Sequence, residues 1–210
     1  MTQGLKRRIA TRLPLVLLVA FSAFWLAMAM APRYRQDWLL ENVLVFIAVP
    51  ALILSYRKMM FSSVAYVCVF LFLVAHEVGA HYTYSEVPYE AWLTRWHLPL
   101  PPWQRNNFDR LVHFLYGLLM TPAAFELMAR VAQPKGVWRW VLPVSFIMSH
   151  SLFYELVEWL AATVFGGNLG MAYLGTQGDP WDAQRDMLAA TMGSVLAILV
   201  IFLRRHRANS

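Results

Sequence analysis

Charge is scarce in this chain and cysteine is nearly absent. Only 14% of the 210 residues are Asp, Glu, Lys or Arg, and the single cysteine is Cys68. One thiol excludes an intramolecular disulfide and any Cys-based metal cluster, and within its apolar run Cys68 reads as a small buried hydrophobe. So little charge beside 59% hydrophobic residues excludes an ordinary soluble domain. The net charge of +6 does not point to nucleic acid, because the basic residues sit in short tufts between apolar runs.

What the chain has in quantity is long apolar stretches. Six approach the ~20 residues a helix needs to cross hydrocarbon, at 14–31, 39–56, 61–84, 107–129, 141–165 and 184–203. The expected fold is all-α, a polytopic membrane bundle of six transmembrane helices forming one integral membrane domain over 1–210. Pro14 suits a first helical turn, and Pro50 should kink the second span. The first span resembles a signal peptide, with Lys6, Arg7, Arg8 and Arg12 leading it and Ala29-Met30-Ala31 closing it. Its apolar stretch exceeds the 7–15 residues of a signal core, so it reads as a retained span.

Orientation follows from the basic residues. With the N-terminus inside, the cytoplasmic segments hold Lys6, Arg7, Arg8, Arg12, Arg57, Lys58, Arg130, Lys135, Arg139, Arg204, Arg205 and Arg207, which is 12 of 18. Both termini are then cytoplasmic. Eleven of the twelve acids fall toward the opposite end. The exception, Glu126, stands four residues before Arg130 and reads as an i,i+4 ion pair.

Two loops on the outer side are long. In 85–106, Tyr89, Trp92, Leu93 and Trp96 follow Pro88 at helical spacing, which suggests a short interfacial helix. The following Pro99-Leu100-Pro101-Pro102 run should be stiff and extended. The second loop, 166–181, carries five glycines. Together the loops either roof a pocket or simply cover the end of the bundle.

The chemistry concentrates around His76-Glu77-Val78-Gly79-Ala80-His81-Tyr82-Thr83-Tyr84. Ionisable groups at membrane depth are costly and read as functional by default. The pair His76 and His81 fails the zinc-protease pattern: at i,i+5 the rings lie about 140° apart on a helix, not the 40° of i,i+4. Glu77 and His81 share a face, with Tyr84 one turn on. Asp109 and His113 repeat the carboxylate–imidazole pair on the next span. Taking Tyr84 and Asn107 as the boundary, Glu77 and His113 lie roughly 10 Å deep, and His81 and Asp109 within about 5 Å. The fifth span adds Glu155 and Glu158, with Tyr154 and His150 continuing that face inward. The last opens with Asp179, Asp182 and Asp186. Acids from four helices are thus expected in one shallow zone. Ser149 and Ser151 beside His150 do not form a triad, since helix-interior serines usually bond back to the chain.

Such a cluster is tolerated if its acids are protonated, paired with His81, His113, Arg110 or Arg185, or bound to metal. Glu77, His81, Asp109, His113 and Glu158 would suit Zn²⁺, Mn²⁺ or Fe²⁺. The di-metal carboxylate bundles offer a loose parallel, since theirs is a Glu-x-x-His spacing.

The whole chain resembles the bacterial inner-membrane YjdF family of unknown function. The resemblance is carried by HEVGAHYTYSEVP at 76–88, RNNFDRLVHFLYG at 105–117, YELVEW at 154–159 and GTQGDPWDAQRDM at 175–187. It implies residence in the inner membrane. The C-terminal half also resembles VanZ-like membrane proteins, a family associated with teicoplanin resistance. Their Asp-Lys/Arg-x-x-His-Phe element is matched by Asp109–Phe114. Their later Asp-x-x-x-Asn-x-x-Gly helix start is met by Asp186 and Gly193, but Ala190 stands where Asn is expected.

Two function classes remain. One is an enzyme at the lipid–water boundary acting on a lipid-linked or amphipathic substrate. Its catalytic set would come from Glu77, His81, Asp109, His113, Glu155 and Glu158, with Glu77 or Glu158 as general base. Tyr84, Arg110, Asp182, Arg185 and Asp186 would bind the substrate, the arginines holding an anionic headgroup. The other is a binding, structural or proton-conducting membrane protein. Against transport, no inverted repeat or pair of broken helices is visible.

Overall fold

The computed structural model describes residues 3–98, 105–167, 170 and 174–209, with side chains from 12 to 207. The Pro99–Pro102 run lies outside the described residues. Six long helices form the bundle: α1 (Gln3–Ala29), α2 (Arg35–Ser55), α3 (Ser63–Tyr82), α5 (Phe108–Val131), α6 (Trp138–Phe165) and α7 (Asp182–Asn209). Each holds a stretch long and apolar enough to cross a membrane. The short α4 (Tyr89–Arg95) follows Pro88, as the aromatic spacing there suggests. Its Tyr89 and Trp92 rings pack on Phe108 at the head of α5.

The helix ends depart from the sequence expectation in instructive ways. Pro14 lies inside α1, which begins eleven residues earlier at Gln3. The second span starts at Arg35, not at 39, so Asp37 and Trp38 belong to α2. α3 stops at Tyr82 because Thr83 adopts a left-handed conformation (φ 57°, ψ 69°) and turns the chain back. Glu126 does not pair with Arg130. It accepts from the Ser62 N–H at 2.8 Å, and Arg130 donates to the Met60 carbonyl at 2.6 Å. Both therefore fasten the α2–α3 connection, where the orphan N–H groups at the start of α3 compete for the carboxylate.

Helices in hydrocarbon gain little from the hydrophobic effect, so close backbone approach and polar ties carry their association. α5 and α7 show this best. A Cβ on Gly117 would run into the Ala190 carbonyl and the Ser194 N–H, and one on Gly193 would meet the Phe114 carbonyl and the Leu118 N–H. The Thr121 hydroxyl donates to the Gly117 carbonyl at 2.6 Å and lies 2.7 Å from the Ser194 hydroxyl. α3 packs against α5 on one side and α1 on another, and α6 closes over α5 and α7. α2 leans on α3 and forms no close helix pair with α6. All polar groups described below lie at the end of the bundle that gathers the starts of α2, α5 and α7 with the ends of α1, α3 and α6.

Candidate metal centre

α5 supplies the first two groups. Asp109 and His113 are one turn plus 40° apart on the same face, and His113 Nε2 lies 3.6 Å from Asp109 Oδ1. α6 brings Glu155, whose Oε1 is also 3.6 Å from His113 Nε2. α7 brings Asp186. Single ligand atoms of Asp109, His113 and Asp186 all fall within 4.8 Å of one another, a cluster able to coordinate a divalent metal. Two buried carboxylate oxygens here, Glu155 Oε1 and Asp186 Oδ1, have no hydrogen-bond donor. An unpaired buried carboxylate oxygen is costly, and a cation removes that cost. Two carboxylates and one imidazole, with Glu155 beside the imidazole, make an oxygen-rich donor set that suits a first-row divalent ion. Glu158 lies within charge–charge range of Glu155, Asp109, Glu41 and Asp186.

Glu77 and His81 are placed elsewhere, and Tyr84 lines the neighbouring cavity. Glu77 is fully buried against α2, where Trp38 Nε1 donates to its Oε1 at 2.7 Å. His81 donates from Nδ1 to the Met28 carbonyl at 2.8 Å and so closes the end of α1. Tyr84 does not extend the helical face of Glu77, because the turn at Thr83 folds it back over α3. Its ring covers Gly79, where a Cβ would collide with it. The Tyr84 hydroxyl thereby donates to His76 Nδ1 at 2.5 Å, while His76 Nε2 donates to the Glu41 carbonyl at 3.2 Å. Those two bonds select one tautomer of neutral His76. Burial, then the nearby carboxylates of Glu41, Asp109, Glu158 and Glu77, hold the Tyr84 phenol well above its ordinary value, so it stays a donor.

His76 rather than Glu77 therefore shares a cavity with the α5 pair. Adjacent residues on a helix point 100° apart, and this rotation sends Glu77 toward Trp38 on α2. The cavity has a volume of about 350 Å³ and is lined in part by Glu41, His76, Tyr84, Asp109, His113 and Tyr154. Tyr154 donates to Glu41 Oε2 at 2.8 Å across it. Ser151 also faces it, with a buried hydroxyl that has no partner, whereas Ser149 bonds back to the Ser145 carbonyl.

The contribution of α2 was not foreseen from the sequence. Asp37, Trp38, Glu41, Asn42 and Val45 are all buried along one stripe. Thr83 Oγ1 donates to Asp37 Oδ2 at 3.1 Å, and Trp25 Nε1 donates to Asn42 Oδ1 at 2.5 Å. The signal was present as Asp37-x-x-x-Glu41 at i,i+4, but a span begun at 39 leaves its first member in a loop.

The arginines are occupied. Arg105 pairs with Asp182 and lies 3.5 Å from Asp179. Arg110 pairs with Asp179, reaches Asp182 at 3.3 Å and sets its Nε 3.8 Å from Asp186. Arg185 reaches Asp179 at 2.5 Å. Burial pulls the Asp179 carboxyl upward, but the Trp181 N–H and the guanidinium groups of Arg110 and Arg185 outweigh it and hold the carboxyl below its ordinary range. Asn106 and Gln177 exchange two further bonds at 2.9 and 3.0 Å, tying the two loops together over the centre.

A six-helix bundle with an acid–imidazole cluster at membrane depth is a multi-pass membrane protein with a site able to hold a divalent metal. The chain belongs to the family described as "Predicted membrane protein (DUF2238)", which matches residues 13–208. It is 35% identical over 176 residues to the inner membrane protein YjdF of Escherichia coli (strain K12), covering 83% of this chain and 81% of that relative. No solved structure matches it. It is accordingly a multi-pass protein of the bacterial inner membrane.

Proposed function

We propose that this protein is a metal-assisted, hydrolase-like membrane enzyme acting on a lipid-linked or amphipathic substrate. The observation that carries the reading is the meeting of Asp109, His113 and Asp186 within 4.8 Å, beside donor-less oxygens of Glu155 and Asp186. A divalent ion held there would act as a Lewis acid and acidify water. Asp109, His113 and Asp186 form the holding set with Glu155 beside them, and Glu158, within charge–charge range of Glu155 and Asp109, serves as general base. Glu77 and His81 serve instead to hold α2 and α1 in place, through Trp38 and the Met28 carbonyl. The basic tufts at the opposite end of the bundle orient the site outward, with both termini cytoplasmic.

The test is metal content. Purified in mild detergent and loaded in turn with Zn²⁺, Mn²⁺ and Fe²⁺, the protein is expected to retain one of them near stoichiometrically. His113→Ala and Asp186→Asn should lose it, and Glu77→Gln should keep it. Absence of bound metal in the parent protein overturns the reading. A second reading, a proton relay, is favoured by the part-buried bonds Tyr84–His76 and Tyr154–Glu41 that share one cavity. It predicts pH-driven proton uptake by vesicles containing the metal-free protein.

A further inference from the structure

The cavity beside the centre is open on one flank. α2 and α6 form its two walls without packing closely on each other, and Tyr154–Glu41 is a polar tie that crosses the gap. Around that tie the walls are mostly apolar: Val43, Ile47 and Ala48 on α2, and Phe153 and Val157 on α6, with His150 and Ser151 the polar side chains of the α6 wall. Ile47 and Phe153 are 66% and 67% exposed, so the gap reaches the outer surface of the bundle. At that depth the surrounding medium is hydrocarbon rather than water, because these residues sit inside segments that span the membrane. Glu41 and Ala48 are seven residues apart, so the apolar part runs about 10 Å along α2. Its end at Glu41 also meets His76, Asp109 and His113.

We infer that the α2–α6 gap is a lateral portal occupied by a hydrocarbon tail of a bilayer lipid, whose polar end then lies at the acid–imidazole centre. The inference rests on that centre being a reaction site, and it names how the substrate arrives. Three features select a lipid over a water-soluble molecule. The opening faces the bilayer plane, its walls are mostly apolar, and its two carboxylates, Glu41 and Asp109, sit together at one end, which matches a molecule with a tail and a head. A volume of about 350 Å³ is at the low end for ligand sites and accommodates one chain segment rather than a whole lipid.

The experiment uses the full-length protein in phosphatidylethanolamine vesicles containing a phosphatidylethanolamine with a diazirine midway along one acyl chain. A chelator is present throughout. On illumination, residues 40–48 and 153–157 should be labelled several-fold more than the exposed face of α7 around Val195, which lies at comparable depth. Ala48→Trp, or independently Val157→Trp, should cut the portal labelling at least threefold, and Val195→Trp should not. Two blocking variants on different helices keep the test decisive if one fails to fold, as judged by monodisperse elution. Equal labelling around the bundle, or labelling indifferent to both tryptophans, overturns the portal. Portal labelling in a protein that binds no metal would sink the metal reading alone, and bound metal with uniform labelling would sink the portal alone.

Discussion

α5 and α7 touch backbone to backbone, whereas α2 is held to its neighbours by side-chain hydrogen bonds and bordered by cavities. On the α5–α7 side, Gly117 and Gly193 leave no room for even a methyl group. On the α2 side, Trp38–Glu77, Trp25–Asn42 and His76–Glu41 span the interfaces, with an apolar cavity of about 390 Å³ on one flank and the 350 Å³ polar-ended one on the other. The difference separates two tasks. Groups able to hold a metal need fixed geometry, and Asp109, His113 and Asp186 ride on the tight pair. The α2 side instead leaves open space beside its polar groups.

The largest effect should come from breaking the tight pair. Gly117→Val or Gly193→Val forces a side chain into facing backbone, and overpacking of that kind should cost more than about 3 kcal/mol. Thermal unfolding in detergent, followed by intrinsic fluorescence, should show little folded protein. A parent-like melt would erase the contrast between the two halves. Next comes the α2 side. Glu77→Leu strands the Trp38 N–H and should cost about 1–3 kcal/mol, while Glu77→Gln keeps an acceptor and should cost less. Equal melts for the two would mean that the Trp38 bond does not hold α2.

Smaller still is Tyr84→Phe, which removes the donor to His76 and should cost about 1 kcal/mol in the same assay. Gly79→Ala should mimic it, because its new methyl displaces the Tyr84 ring. The smallest effect concerns the loop network. Asp179 is held below its ordinary value, so its contribution is present at neutral pH and fades as pH falls through that lowered value. Melting temperature between pH 7 and pH 3 should therefore decline less for Asp179→Asn than for the parent. A steeper decline in the variant would reverse the assignment.

Much of the fold was readable because hydropathy adds up locally over about 20 residues. The face shared by Asp109 and His113 was readable for a similar reason, since i,i+4 spacing is a property of one helix. Other features resisted reading because they depend on rotation and on chain reversal. His76 and Glu77 are neighbours in sequence, and nothing local says which of them turns toward α5. Tyr84 looks like one more turn of α3 until Thr83 reverses the chain. Asp186 reads from sequence as a substrate contact at a helix start, and that it lies within 4.8 Å of Asp109 and His113 depends on how α7 sits on α5.

The amino-acid order alone determined that this chain crosses the membrane six times as helices, because an apolar segment in hydrocarbon must satisfy its own backbone. It also determined that acids and imidazoles collect toward one end. Only the tertiary structure decided which of them meet. That choice was made where Gly117 and Gly193 let α7 settle against α5, bringing Asp186 to His113, and where the loosely seated α2 left a gap beside them.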